Sequence, residues 1–173
     1  ALSTLWTRWM APDFPPERIL QSGPELSLLY RQAKGNRVMV EGGKDVILEL
    51  YRRGYVLGII SNVTTTQEIP DWLEEEQLTP YFKSVVLSSV LGIRKPDPQI
   101  YLEAARKADV APEKCAYIGD NLKRDVTGTR AAGFGMSVIF ISPEELSREE
   151  ITAENQPDAI IHSIRDLLVL FPG

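Results

Sequence analysis

Cys115-Ala116-Tyr117-Ile118-Gly119 opens a stretch that continues through Leu122 to Ala132, stops at Gly133 and resumes as Met136-Ser137-Val138-Ile139-Phe140-Ile141. It reads as strand, helix, strand. Neither apolar run alternates with polar residues, and near-continuous apolar strands are what a parallel sheet covered on both faces requires. The pattern repeats outward in both directions. Tyr55 to Ile60, Ser84 to Leu87 and Asp158 to Ile161 are further short runs rich in Val and Ile. Between them the signals are helical. Lys44 to Arg53 sets Ile47, Leu50 and Tyr51 on one face and stops at Gly54, which tolerates the left-handed backbone of a helix end. Asp97 reads as a cap with Pro98 at the first helical position, and Ile100, Tyr101, Ala104, Ala105 and Ala108 follow as one apolar stripe. Ser142-Pro143-Glu144-Glu145 has capping-box spacing, and Ile164 to Leu170 makes a short closing helix. The architecture expected is α/β, a doubly wound parallel sheet.

At 173 residues the chain can build one such domain with a small appendage. Its apolar and charged fractions, 43% and 25%, are those of a globular protein and exclude disorder as an account of any function. The net charge of −5, with basic residues interspersed among acids, argues against a nucleic-acid partner. No apolar stretch is long enough for a signal peptide or a bilayer span, so no membrane partner is expected. Cys115 is the only cysteine, which rules out an internal disulfide and suits a cytoplasmic setting. The first residues differ in kind. Trp6, Trp9, Pro12, Phe14, Pro15 and Pro16, followed by Glu25 to Ala33, read as two short helices around a Pro-rich turn, with both tryptophans in a core. Residues 1–41 are therefore assigned to a piece of a small helical cap and 42–173 to the sheet core. Nothing in the composition fixes an oligomeric state.

In open parallel sheets ligands bind beyond the carboxyl ends of the strands, where loops converge and helix N-termini present free N–H groups. After Ile60 come Ser61 and Asn62; the loop after Leu87 leads to Lys95; after Gly119 come Asp120 and, five residues on, Asp125. Each has a plain structural reading. Ser61 could cap the next helix, Lys95 could be a solvated loop residue, and the two aspartates could serve the N-terminus of the Leu122 helix. Together at successive strand ends they suit a phosphate group and a hard cation. Mg2+ takes one or two carboxylates and fills its shell with water and substrate oxygens, while a lysine and a hydroxyl hold the remaining phosphate oxygens.

Three ordered pieces carry a resemblance: Gly58-Ile59-Ile60-Ser61-Asn62; Gly92-Ile93-Arg94-Lys95-Pro96-Asp97-Pro98; and Tyr117-Ile118-Gly119-Asp120 through Asp125-Val126-Thr127-Gly128, with Ala131-Ala132-Gly133 behind it. In order and spacing, from about Gly42 to the C-terminus, the chain resembles the haloacid dehalogenase (HAD)-like hydrolase superfamily, in particular its phosphatase-type members. The resemblance implies that Ser61, with Asn62, binds phosphate, that Lys95 neutralises nucleophile and phosphate, and that Asp120 ligates Mg2+ with Asp125 in support. The substrate implied is a small phosphorylated molecule.

One family feature is missing. The attacking aspartate and its general acid-base partner form an Asp-x-Asp pair in the family, and no Asp-x-Asp occurs in this sequence. The strand that bears the pair lies, in the family, between those ending at Ser61 and at Asp120. Omitting it would orphan backbone groups along two edges at about 1–3 kcal/mol each, so the expectation is that the native protein supplies this strand upstream of Ala1. The chain alone would then be inactive. A rival places Val38 to Val40 in the central position with Glu41 at its end, through a right-handed crossover, and makes the protein a noncatalytic binding or regulatory module. A dehalogenase on the same scaffold is a further alternative; such enzymes need no metal. His162, the sole histidine, reads as a surface or capping residue, and Cys115 as a small core residue.

Overall fold

The computed structural model describes residues 6–33, 35 and 37–173, less the side chains of Arg8 and Trp9, so the core role expected of Trp9 lies outside the described residues. In chain order a wide helical turn over Trp6–Met10 leads to α1 (Pro16–Ala33). The sequence pattern starts this helix only at Glu25, but it is one 18-residue helix with Pro24 inside it. Its buried stripe of Ile19, Gly23 and Ser27 runs at intervals of four residues across the proline and holds the two halves to one surface. Trp6 is buried against that stripe, its indole N–H donating to Ser27 Oγ at 2.6 Å.

The chain continues with α2 (Gly43–Arg52) and β1 (Leu57–Ser61), then α3 (Glu68–Glu75), β2 (Phe82–Leu87) and a single turn, α4 (Ser88–Leu91). Then come α5 (Pro98–Ala108), β3 (Ala116–Gly119), a wide turn over Leu122–Val126 continued by α6 (Thr127–Ala131), and β4 (Met136–Phe140). The chain closes through α7 (Pro143–Leu146), β5 (Ala159–Ile161), a turn over Ile164–Asp166 and α8 (Leu167–Leu170). Asp97 caps α5 through the Gln99 N–H, all five residues of the expected α5 stripe are buried, and Ser142 and Glu145 form their capping box. Gly54 takes the left-handed conformation, with φ of 88°. Two local expectations need correction. The buried face of α2 is Val46 and Leu50, whereas Tyr51 is 49% exposed and meets Tyr81 edge-on. Tyr55 and Val56 are exposed and precede β1, because the chain is still leaving α2 there. Cys115 likewise sits just ahead of β3, half-buried, its thiol on the Ala111 carbonyl. His162 is exposed, as expected, with Nδ1 on the Ile141 carbonyl.

All strand pairings are parallel, but they fall into two sheets: β1 with β2, and β3–β4–β5 in that order. Neighbouring residues on one strand feed opposite faces, Val138 toward α2 and α8 and Ile139 toward Leu122 and Val126, so helices cover both sides. The two sheets share these layers. Leu57 and Ile118 pack into the same cluster as Val46 and Leu50, and Ile60 and Tyr117 into the same cluster as Ile100, Tyr101 and Ala104. Between β1 and β3 lies an apolar cavity of about 310 Å3, lined by Gly58, Ile60, Ala105, Tyr117, Ile118 and Phe134 among others. The strands on either side of it are correspondingly half-exposed, while β2 and β4 hold fully buried residues. Val38 to Val40 does not fill this slot. Residues 37–40 are not a strand, Val38 is 89% exposed, and the Gly43 N–H turns back onto the Val40 carbonyl. The crossover placing Glu41 at a central strand end is thereby overturned. Among the described residues no helix is long and apolar enough to cross a membrane.

The β3–β4 connection is tight where Gly135 passes the turn over Pro112–Lys114. A Cβ at Gly135 would stand 2.2 Å from the Glu113 carbonyl oxygen, a backbone atom that cannot swing aside. Gly135→Ala is expected to cost about 1–3 kcal/mol, read as a lower urea midpoint with an unchanged slope.

Candidate active site

Three chain segments meet at the carboxyl ends of β1 and β3. Ser61 is the last residue of β1, paired in register with Leu87. It does not cap α3, which starts seven residues later after Gln67. Asn62 ties this strand end to the loop after α4: its Oδ1 accepts from the Lys95 backbone N–H at 2.9 Å and its Nδ2 donates to the Lys95 carbonyl at 3.0 Å. Those paired bonds fix the Lys95 backbone beside Asn62, the residue that follows β1, and the Lys95 side chain lies inward, where the residue is 7% exposed. Lys95 is thus not a solvated loop residue.

The Lys95 ammonium donates to the Tyr117 hydroxyl and pairs with Asp125 Oδ1 at 3.1 Å. Asp125 is 1% exposed, and both its oxygens are engaged. Oδ2 accepts from the Asp120 and Asn121 backbone N–H groups at 3.2 and 3.1 Å and from Arg124 Nη2 at 3.0 Å; Oδ1 accepts from Arg124 Nε at 2.9 Å as well as pairing with Lys95. Only glycine fits at 119, since a Cβ there would stand 2.4 Å from Asp125 Oδ2. Arg124 Nη2 also donates to Asp120 Oδ1 at 2.8 Å, on the solvent side, where the Asp120 side chain is 80% exposed. Asn121 is the residue that caps the following turn, through the Arg124 N–H at 2.8 Å. The helix-terminus reading of Asp125 therefore holds in part: it closes the strand-to-helix turn, and it also faces Lys95.

Burial pushes the Lys95 ammonium below its ordinary pKa, against the pull of Asp125. Burial also works against the Asp125 carboxylate, but the Arg124 hydrogen bonds and the Lys95 charge outweigh it and hold the carboxyl below its usual range. Tyr117 is raised well above its ordinary value, first by burial and then by the Asp125 charge, so it stays a neutral hydroxyl. Asn62, Lys95, Asp120 and Asp125 thus form one connected network through Arg124, and Ser61 adjoins it along the chain at Asn62. Sequence reasoning missed Arg124 and Tyr117. Arg124 lies inside the Asp120-to-Asp125 interval and carried a signal; Tyr117 looked like one more apolar strand residue.

As a place for a divalent cation the donor set is of the right type but small. Asp120 offers a hard, exposed carboxylate, while Asp125 is saturated by its donors, and among the described residues no group of three or more His, Cys, Asp or Glu side chains converges. Such a set fits a hydrated cation held by few protein oxygens, as magnesium is.

A family model described as "Haloacid dehalogenase-like hydrolase" matches residues 29–139. The chain is 32% identical to a glyceraldehyde 3-phosphate phosphatase of Methanopyrus kandleri, over 70% of this chain and 52% of that protein. It is 36% identical to haloacid dehalogenase-like hydrolase domain-containing protein 3 of Bos taurus, over 62% and 42% respectively. The chain spans about half the length of the curated relatives it matches. Among solved structures it resembles a HAD phosphatase from Thermococcus onnurineus, with a TM-score of 0.65 at 22% identity over 93% of this chain and 66% of that one. It resembles equally a 2-haloacid dehalogenase from Pseudomonas syringae, with a TM-score of 0.66 at 22% identity over 91% and 64%. At that identity the likeness concerns the fold alone.

Proposed function

The chain belongs to the haloacid dehalogenase-like hydrolases, and from that membership we propose that the whole protein is a Mg2+-dependent phosphatase of small phosphorylated metabolites. The observation that carries the reading is the buried Lys95 ammonium, paired with Asp125 on a backbone that Asn62 fixes, at the point where the ends of β1 and β3 converge. A buried cation at a strand rim is costly to keep and suits a dianionic group arriving there. On this reading the Ser61 hydroxyl and the amide edge of Asn62 orient the phosphoryl oxygens, and Lys95 offsets their charge as the ester bond breaks. Asp125 keeps Lys95 charged and in place; Asp120 lends its exposed carboxylate to Mg2+, which would neutralise phosphoryl charge when bound. The attacking aspartate belongs on a strand seated in the slot between β1 and β3, supplied by polypeptide outside these 173 residues, with residues 1–41 as part of the cap. Relatives named as phosphatases of glyceraldehyde 3-phosphate and of phosphoserine agree with the substrate class.

Assay of the whole native gene product with p-nitrophenyl phosphate tests it. Turnover is expected with Mg2+ and lost on chelation. Hydrolysis of a 2-haloacid that survives a chelator would establish the dehalogenase alternative, and absence of any turnover would leave a noncatalytic binding module.

A further inference from the structure

Tyr117 stands on β3 opposite Ser137 of β4, at a position where an apolar side chain would satisfy the strand. Its ring meets Tyr101 edge-on with centres 5.2 Å apart, and Tyr101 meets Phe134 in the same way at 5.7 Å. Tyr101 is fully buried, and it keeps its place because position 128 is glycine: a Cβ there would stand 2.5 Å from Tyr101 Cε2. Three rings in series therefore fix where the Tyr117 hydroxyl lies. A phenylalanine would pack into the same series, so the packing accounts for the ring and not for the oxygen. Burying a hydroxyl is unfavourable unless it is bonded, and the partner this one has is the Lys95 ammonium, which donates to it. An ammonium carries three N–H donors on a flexible four-carbon stem. Asp125 Oδ1 stands 3.1 Å from the Lys95 nitrogen and the Tyr117 hydroxyl is the second acceptor. Among the described residues the Lys95 ammonium meets no third acceptor, which leaves one N–H for an incoming oxygen. One partner would let the ammonium swing; two fix it.

We infer that Tyr117 is a positioning residue: its hydroxyl, with Asp125, holds the Lys95 ammonium so that the remaining N–H meets a phosphoryl oxygen bound at the ends of β1 and β3. Asp125 supplies the countercharge and Tyr117 the direction. The inference rests on the proposed phosphatase reading for the phosphoryl oxygen, and on the ring series and its hydroxyl alone for the hold on Lys95.

Tyr117→Phe and Tyr117→Leu in the whole protein separate the hydroxyl from the ring. With p-nitrophenyl phosphate and Mg2+, Tyr117→Phe is expected to lower kcat about tenfold and to move KM by no more than about twofold, while its urea transition stays cooperative. Tyr117→Leu should lose at least as much in kcat and unfold at lower urea besides, because it also breaks the ring series. A second readout needs no turnover. In a proton–nitrogen correlation spectrum of the lysine ammonium groups, the Lys95 signal, assigned by its absence from Lys95→Met, should exchange with water about tenfold faster in Tyr117→Phe. Unchanged kcat in Tyr117→Phe, with loss only in Tyr117→Leu, would overturn the inference, making Tyr117 a packing residue beside a phosphatase site that still stands. No turnover by the unmodified protein, with the Lys95 signal still loosened in Tyr117→Phe, would overturn the phosphatase reading and support the hold on Lys95. A Lys95 signal that Tyr117→Phe leaves unchanged would overturn that hold.

Discussion

Lys95→Met is expected to lower phosphomonoester turnover by the whole protein about a hundredfold or more, while costing the fold about 2 kcal/mol or less. The two halves of this result come from one geometry. Lys95 is the buried cation nearest the convergence of the β1 and β3 ends, so its charge acts where phosphoryl charge develops and where little water competes. Removing it subtracts an interaction that strengthens along the reaction, and the loss should fall mainly on kcat. The fold has less to lose. Burial lowers the Lys95 pKa, so between the folded and unfolded values the unfolded chain binds more protons and stability rises with pH; keeping the ammonium at neutral pH is a cost. Methionine fills a similar volume without that charge, and Asp125 keeps Arg124 and two backbone N–H donors. Steady-state kinetics and urea unfolding of the same variant check both parts. Activity within a few-fold of the unmodified protein would remove Lys95 from the phosphate site, and parallel collapse of activity and stability would make it a structural residue.

What could be read from the sequence was whatever depends on near neighbours. The α5 stripe, the Asp97 and Ser142 caps and the left-handed stop at Gly54 are all decided within a turn or two, and they appear as expected. So did the placement of Lys95, Asp120 and Asp125 at strand ends, because parallel topology puts every such end on one rim. Burial was less legible. Tyr51 falls on the apolar stripe of α2 by spacing, yet it is exposed, because Val46 and Leu50 enter one core cluster and Ile47 and Leu48 pack against another, leaving Tyr51 at the margin against Tyr81. Pro24 reads as a break, and only the packing of Ile19, Gly23 and Ser27 under Trp6 shows why α1 passes through it. The charged groups that shape the site were the least legible. Arg37, in the lead-in to α2, and Glu68, at the start of α3, are 31 residues apart and meet only in the folded chain, so no local pattern announces them. The parting of the two sheets between β1 and β3 is likewise a matter of how distant strands pair, which no short stretch of sequence states.

Asp125→Asn should be the most damaging single substitution at this rim, with a loss of about 3–5 kcal/mol in unfolding free energy. Among the described residues Asp125 is the one anion that both Lys95 and Arg124 meet in the interior, and its carboxylate also closes the turn by accepting from the Asp120 and Asn121 N–H groups. Asparagine has nearly the same shape, but it removes the charge, and its amide places a donor where two cations and two N–H groups already point. What remains is two cations without their buried counterion, which is far more costly than the absence of the whole network would be. The pH dependence gives this prediction a sign. Because the folded pKa of Asp125 lies below its ordinary value, its contribution is present in full above the unfolded carboxyl pKa, about 3.9, and is lost as pH falls through the folded value. The gap between the unmodified chain and the variant should therefore be constant from neutral pH down to about 4 and narrow below it. Asp120→Asn is the control: its side chain is 80% exposed and pairs with Arg124 at the surface, so it should change stability by less than about 1 kcal/mol at any pH. Urea titrations of the three proteins between pH 3 and pH 7 decide the matter. A small, pH-independent effect at Asp125, equal to that at Asp120, would mean that the buried network does not hold the rim together, and the positioning of Lys95 would then need another cause.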